Sequence, residues 1–192
     1  MFINWPKTKP EIPEKLIGAL NSENKVELER LCKDFSENDI IVELGTYYGM
    51  STKFLAENSK AKIITVDHFR GSKEHNERDD LRPLIPAMYE TFLVNLWDYK
   101  DRIHIYRGKT VDFLLDIVNS EVASFAKIVY IDASHEFIDV YRDLELSSII
   151  FCHATICGDD FKWKSVKNAL NEFSERYDKE IEYIENFWEL IR

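Results

Sequence analysis

Apolar positions along the chain follow two alternating rhythms. Nearly unbroken apolar runs bounded by turn residues, "DIIVEL", "AKIITVD", "RIHIY", "AKIVYID" and "HATICGD", read as strands. Between them, "STKFLAENS", "IPAMYETFLVNLWDY", "TVDFLLDIVNS" and "FIDVYRDLELSS" carry apolar residues at helical spacing. Five strands separated by helices predict an α/β fold, a Rossmann-like doubly wound sheet that is mostly parallel. Each parallel pair needs a crossover, and the crossover helices cover both faces. Ahead of this rhythm, "IPEKLIGAL" spaces Ile12, Leu16 and Leu20 as a helix, and "NKVELERLCKDF" does so with Leu28, Leu31 and Phe35. Asn24 with Glu27 reads as the second helix's start. After it, "SVKNALNEFSERY" is helical. "EIEYIENFWELIR" then reads as two short strands turning at Glu185 and Asn186, too close for a crossover and so an antiparallel hairpin. With no repeat, linker or low-complexity tract, residues 1–37 form an N-terminal helical segment of the same domain as 38–192.

Composition narrows the function classes. Twenty-five Lys and Arg against 35 Asp and Glu leave a net charge of -10, which repels phosphate backbones and anionic lipid surfaces. Nucleic acid and membranes are therefore not expected as partners, and a small-molecule acceptor is; a homo-oligomer is compatible with the chain. Three cysteines, an odd number, and an N-terminal stretch broken by Pro6, Pro10 and Pro13 point to a reducing, cytoplasmic setting without a signal peptide. Cys152, His153 and Cys157 in "FCHATIC" lack a second ligand pair for zinc and read as core thiols.

The chemistry concentrates at strand ends. In "IIVELGTYYGMSTKFLAE" an apolar run ends at Glu43 and passes through Gly45 and Gly49 into a helix, an arrangement that brings backbone and free N–H groups to a ligand. A dinucleotide site prefers G-x-G-x-x-G; here a carboxylate precedes two glycines spaced E-x-G-x-x-x-G, which suits a ligand bearing a cation, such as the amino group and sulfonium of S-adenosylmethionine. Asp67 in "VDHF", ending the next strand, can accept hydrogen bonds from ribose hydroxyls. "YIDASHEF" and "ICGDDF" bring Asp132, Asp159 and Asp160 to neighbouring strand ends, roughly 5 Å apart. Uncompensated, three such acids repel; a divalent cation, Mg²⁺ or Ca²⁺ given oxygen-only ligands, would relieve the conflict. The rival reading makes one acid of "GDD" a favourable charge at the start of the helix in "FKWKSVKNAL".

On these motifs the chain resembles the class I S-adenosylmethionine-dependent methyltransferases over about Asn38 to Arg192. "VELGTYYGMST" is similar to the family's first motif, and the final hairpin implies a seven-stranded sheet. The resemblance implies that Glu43, Gly45, Tyr47, Gly49 and Ser51 surround the methionine part, that Asp67 and His68 lie at the ribose, and that Gly108, Lys109 and Thr110 of "YRGKTVDFL" border the adenine, Lys109 standing where an acid is common. Asp132 would serve both cofactor and metal. "YIDASHEF" replaces the D-P-P-Y-like motif of enzymes that methylate DNA bases. The acid pattern is similar to metal-dependent O-methyltransferases of the catechol type and the macrolide and aminocoumarin sugar type. That implies Asp132, Asp159 and Asp160 as ligands of Mg²⁺ or another divalent cation, and O-methylation of a small polar acceptor. His135, where the catechol type has a lysine, has a suitable pKa for the general base; capping the following helix or touching the adenine are its alternatives. Ser134 stands where the sugar type has an aspartate. A protein that binds the cofactor without transferring its methyl group is the competing reading; an NAD-dependent enzyme is disfavoured by the missing third glycine. The polar stretch Phe69 to Leu84, with His68 and His75, could line the substrate mouth or be solvated surface; Trp163 could lie near the site or pack in the core. Trp5 and Phe2 could form a lid or dock on the domain. Of Tyr47 and Tyr48, one should face the site.

Overall fold

The computed structural model describes residues 1–12 and 18–191. The strands are β1 Phe2–Ile3, β2 Ile40–Leu44, β3 Lys62–Asp67, β4 Ile103–Arg107, β5 Ala126–Ile131, β6 Thr155–Gly158, β7 Glu180–Ile184 and β8 Phe187–Ile191. The helices are α1 Ser22–Cys32, α2 Met50–Asn58, α3 Lys73–Glu77, α4 Met88–Leu96, α5 Thr110–Ile117, α6 Glu121–Phe125, α7 Phe137–Ile150 and α8 Lys164–Tyr177. One sheet runs β1-β4-β3-β2-β5-β6-β8-β7. β4, β3, β2, β5 and β6 are parallel, and β8 with β7 closes the far edge as the expected antiparallel hairpin. The seven expected strands are present, and β1 adds an eighth on the edge of β4. Two residues carry no readable period.

The period of two sorts each strand onto two cores. Val42, Leu44, Ile64, Val66, Val129 and Ile131 face α5, α7 and α8, whereas Ile41, Ile63, Ile128 and Tyr130 face α1, α2 and α4. Local signals differ from expectation in three places, and a fourth, left open between two alternatives, is resolved. Asn21, not Asn24, caps α1 by accepting the Asn24 N–H at 3.3 Å; Asn24 lies buried inside the helix with its amide on the Tyr130 hydroxyl. The expected helix over 85–99 is α4 flanked by 3₁₀ turns; the one before it contains Pro83 and Pro86, which lack the N–H groups that regular helix turns need. Cys32 and Cys157 are core thiols, but Cys152 is exposed. Trp5 docks rather than forming a lid: its Nε1 donates to the Ile103 carbonyl at 2.8 Å, while Phe2 pairs with Tyr106 in the edge strand. Of the helix expected over Ile12 to Leu20, residues 13–17 lie outside those described, as does Arg192, while Ile12 and residues 18–20 are not helical. No helix among the described residues is long and apolar enough to cross a membrane.

Candidate active site

The carboxyl ends of the parallel strands form a staggered rim. The Gly45 N–H donates to the Val66 carbonyl, Asp132 to Leu44, Asp159 to Ile131 and Gly108 to Asp67. Above it opens a cleft of about 540 Å³, a size typical of small-molecule sites. Of the residues read from the sequence, Gly45, Tyr47, Ser51, Asp67, His68, Gly108, Lys109, Thr110, Asp132, His135, Asp159 and Asp160 line it.

Glu43 does not. The same period that points Ile41 at α2 points Glu43 there too, and its side chain is fully buried. One carboxylate oxygen accepts from Thr65 at 3.0 Å and from Thr52, and Thr52 is linked to Thr46 at 2.6 Å. Burial pushes its pKa up against the opposing pull of four hydroxyl donors, Ser51, Thr52, Thr65 and Thr46. Glu43 therefore ties β2, β3 and the start of α2 together from below. Gly49 is also not a lining residue. Its φ is +79° at the N-cap of α2, and a Cβ there would stand 2.7 Å from Leu96 Cδ1, so this glycine makes room for α4. Gly45, with φ +89°, makes room for the neighbouring chain, since its Cβ would lie 2.0 Å from the Asp132 carbonyl oxygen.

Asp67 holds the turn in shape. Its Oδ2 accepts from the Thr46 and Tyr47 N–H groups at 3.1 and 3.0 Å, and its Oδ1 accepts from Phe69 at 2.7 Å. A carboxylate has about four lone-pair positions, so one remains for a ligand. Tyr47 sits at φ +51°, a left-handed conformation that bulky residues rarely adopt. Its ring lies 3.8 Å from that of Tyr48 and 4.8 Å from that of His75. Tyr47 is the half-buried member of the tyrosine pair and Tyr48 the one packed in the core. His68 and His75 both border the cleft; the His68 Nδ1 accepts the Arg70 N–H, and His75 completes a capping box with Ser72 on α3. The polar insertion thus forms a wall of the site.

At the β5–β6 end, His135 Nε2 lies 2.7 Å from Asp160 Oδ2 and its Nδ1 3.5 Å from Glu74. The ring also rests on Trp163, 4.5 Å between centres, and the Ser165 hydroxyl donates to the His135 carbonyl at 2.5 Å. Trp163 is 42% exposed, so core packing does not explain it. Burial alone would lower the His135 pKa, but the hydrogen bond and charge of Asp160, with Glu74, outweigh it and raise the value. Burial and the charges of Asp159 and Asp160 push Asp132 well above the carboxylate range. Among the described residues, Asp132, His135 and Asp160 form one group whose potential ligand atoms all lie within 4.8 Å of one another. Asp160 reaches it through a left-handed backbone, φ +64°.

Asp159 stands outside that group. Its Oδ1 accepts the Asp160 N–H at 2.7 Å; its pKa is raised by burial and Asp160, and partly offset by that N–H and by hydrogen bonds from Asn24 and Asn21 at the start of α1. The helix-start reading of the acid pair does not hold either: the N-cap of α8 is Trp163, with no side-chain cap. His135 likewise does not cap α7, whose N-cap is Glu136; instead Ser134 accepts the Glu136 N–H and donates to Asp139. Sequence reasoning missed Asp139, Arg142 and Asp143, which line the cleft from α7. The only hint was an acid at Asp143 among apolar positions at helical spacing.

A family profile described as a methyltransferase domain matches residues 42–161. No curated protein matches the chain. Among solved structures, cofactor-bound Rv0187 from MTB is similar with a TM-score of 0.67 at 17% identity, over 90% of this chain and 81% of that one. The O-methyltransferase from Bacillus cereus in complex with SAH gives 0.58 at 16% identity, over 91% and 83%. CalS11, a calicheamicin methyltransferase, gives 0.59 at 14%, over 89% and 80%. At these identities the likeness is one of fold.

Proposed function

Since the chain belongs to the methyltransferase-domain family and is an S-adenosylmethionine-dependent enzyme, we propose that it methylates a hydroxyl oxygen of a small polar acceptor, assisted by a divalent cation held by Asp132, His135 and Asp160. The observation that carries this reading is the convergence of two carboxylates and an imidazole at one end of the cleft, ligand atoms within 4.8 Å of each other. The donor set fits a cation. Its imidazole widens the choice beyond Mg²⁺ and Ca²⁺ toward Mn²⁺ and other transition metals. When bound, the cofactor supplies an electrophilic methyl group on sulfonium, and a cation lowers the pKa of the acceptor hydroxyl and orients its oxygen.

The chain's own residues divide the remaining work. Asp67 and the left-handed Tyr47 fix the turn that cradles the cofactor. Ser165 fixes the His135 backbone carbonyl and Trp163 backs its ring, and the exposed Trp163 face offers an acceptor a surface to rest on. His135, engaged with Asp160, serves in this reading as a ligand rather than as the free base. The Bacillus cereus and calicheamicin proteins, an O-methyltransferase and a methyltransferase, are consistent with this choice of chemistry.

Isothermal titration of S-adenosylhomocysteine, without metal and with Mg²⁺ or Mn²⁺, tests the proposal. Wild type should bind, and a metal-dependent increment should vanish in Asp160→Asn and His135→Ala while metal-free binding persists. An increment that survives both substitutions would sink the metal site. Absence of any binding would sink the cofactor site.

A further inference from the structure

His135 has a second nitrogen that the proposed ligand set does not use. Its Nε2 faces Asp160 Oδ2 at 2.7 Å, whereas its Nδ1 is buried and meets no hydrogen-bond partner among the described residues. Glu74 Oε2 lies 3.5 Å from that Nδ1, farther than a closed N–H···O bond. Glu74 belongs to α3, in the polar insertion, and its other oxygen accepts from Arg78 Nη1 at 3.4 Å. Arg78 is itself held by Asp80, at 3.1 and 2.7 Å. Resting on the metal reading above, we infer that Glu74 is the positioning residue of the His135 ligand: its carboxylate accepts the Nδ1 hydrogen when Nε2 holds a cation, and so seats α3 on the metal site.

Two arguments support the assignment. The first follows the hydrogen. A neutral imidazole carries one hydrogen, on either nitrogen. With Nε2 against the Asp160 carboxylate, that hydrogen belongs on Nε2, which leaves Nδ1 a bare lone pair in front of an acceptor-only carboxylate. A cation on Nε2 uses the lone pair there, so the hydrogen has to sit on Nδ1, and the same two atoms become donor and acceptor. A ring protonated on both nitrogens loses the Nε2 hydrogen as a cation enters and reaches the same arrangement. Metal-bound histidines almost always direct their second nitrogen to a carboxylate, a carbonyl or water, which fixes the ring and raises its basicity as a ligand. Glu74 is the carboxylate this chain brings to that nitrogen. The second argument concerns α3. None of its five residues is buried, so core packing does not seat it. What holds it to the rim is a set of side-chain contacts: the His75 ring 4.8 Å from that of Tyr47, Lys73 on Glu136, and Glu74 toward His135. The first two are the same with or without a cation, whereas the neutral His135 ring gives Glu74 a hydrogen bond only with one. Cation binding and the seating of α3 therefore favour each other.

Mn²⁺ serves as the probe, because the spectrum of the free ion is lost on binding and yields an affinity without turnover. Glu74→Met, which removes the acceptor at similar length, should bind Mn²⁺ about tenfold or more weakly than wild type, the usual loss when such an outer partner is removed. Metal-free binding of S-adenosylhomocysteine should be unchanged, which shows that the variant is folded. Glu74→Gln keeps an uncharged acceptor and should fall between the two. Lys73→Met breaks an exposed pair on the same helix without touching His135, and should bind Mn²⁺ within about threefold of wild type. Hydrogen exchange at residues 72–78 is the second readout: Mn²⁺ should slow it in wild type and not in Glu74→Met. Equal Mn²⁺ affinity in wild type and Glu74→Met would overturn the inference and leave the metal site standing. So would a loss in Lys73→Met as large as that in Glu74→Met, or protection of α3 that persists in Glu74→Met. Failure of wild type to bind Mn²⁺ would remove the metal reading and this inference with it.

Discussion

Asp143 couples protonation to stability. Its carboxyl titrates near 4 in an unfolded chain and about 7 when folded, because burial disfavours the charge. The folded state therefore holds the proton more tightly, so the stabilisation is complete below pH 4 and disappears as pH rises through 7. Within that window each pH unit costs up to about 1.4 kcal/mol. Urea melts at pH 5.5 and 8 should show wild type losing more stability across the interval than Asp143→Asn; equal losses would place the coupling elsewhere. Gly45 makes a different demand. A methyl group there would overlap the Asp132 carbonyl oxygen at 2.0 Å with φ at +89°, so Gly45→Ala should cost more than about 3 kcal/mol and distort the turn, measured as a lowered urea midpoint together with lost cofactor binding. Legibility varied residue by residue. The period of two already placed Glu43 on the face with Ile41, yet only the arrival of Thr52 and Thr65 from two other elements shows which hydroxyls its carboxylate meets. Asp143 was less legible still, because what gives it meaning is Thr110, 33 residues away, whose hydroxyl donates to it.

Among elements, the contact between α2 and α4 rests on Gly49 meeting Leu96 and Phe92. Gly49→Ala adds both a clash at 2.7 Å and an unfavourable φ, and should cost about 1–3 kcal/mol. Shortening the partner relieves the clash but not the backbone strain, so Gly49→Ala with Leu96→Ala should destabilise by less than the sum of the two single variants. Strict additivity in urea denaturation would mean that the two side chains do not press on each other. The central strands were legible because burial on both faces demands continuous apolar runs, and the last hairpin because too few residues separate its arms for a crossover. β1 was not, because its pairing depends on the exposed edge of β4 and not on its own two residues. The α1 cap was misplaced by three residues, since Asn21 and Asn24 offer the same chemistry and only the tertiary partner Tyr130 claims the second.

At the scale of the whole molecule, one sheet separates two cores, and the cleft opens where both end, bordered by residues from Gly18 to Asp160. A ligand seated there braces elements of both cores, so S-adenosylhomocysteine at a hundred times its dissociation constant should stabilise the fold by about 2.7 kcal/mol, raising Tm by roughly 5–10 °C. A calorimetric scan with no shift would argue against a site at this rim. The architecture of the site was legible as far as strand ends reach; the α7 contributions were not, because which helix leans back over the rim depends on how the crossovers pack. The mouth has its own consequence. Lys73 reaches Glu136 at 3.5 Å, both side chains more than half exposed, so the segment carrying α3 is fastened across the opening by a pair of surface charges. Exposed pairs of this kind are weak and screened by salt. Residence time thus becomes a function of ionic strength: product should leave faster from a saline solution than from a dilute one, and the turnover of this enzyme would follow the saltiness of its surroundings wherever departure is its slowest event.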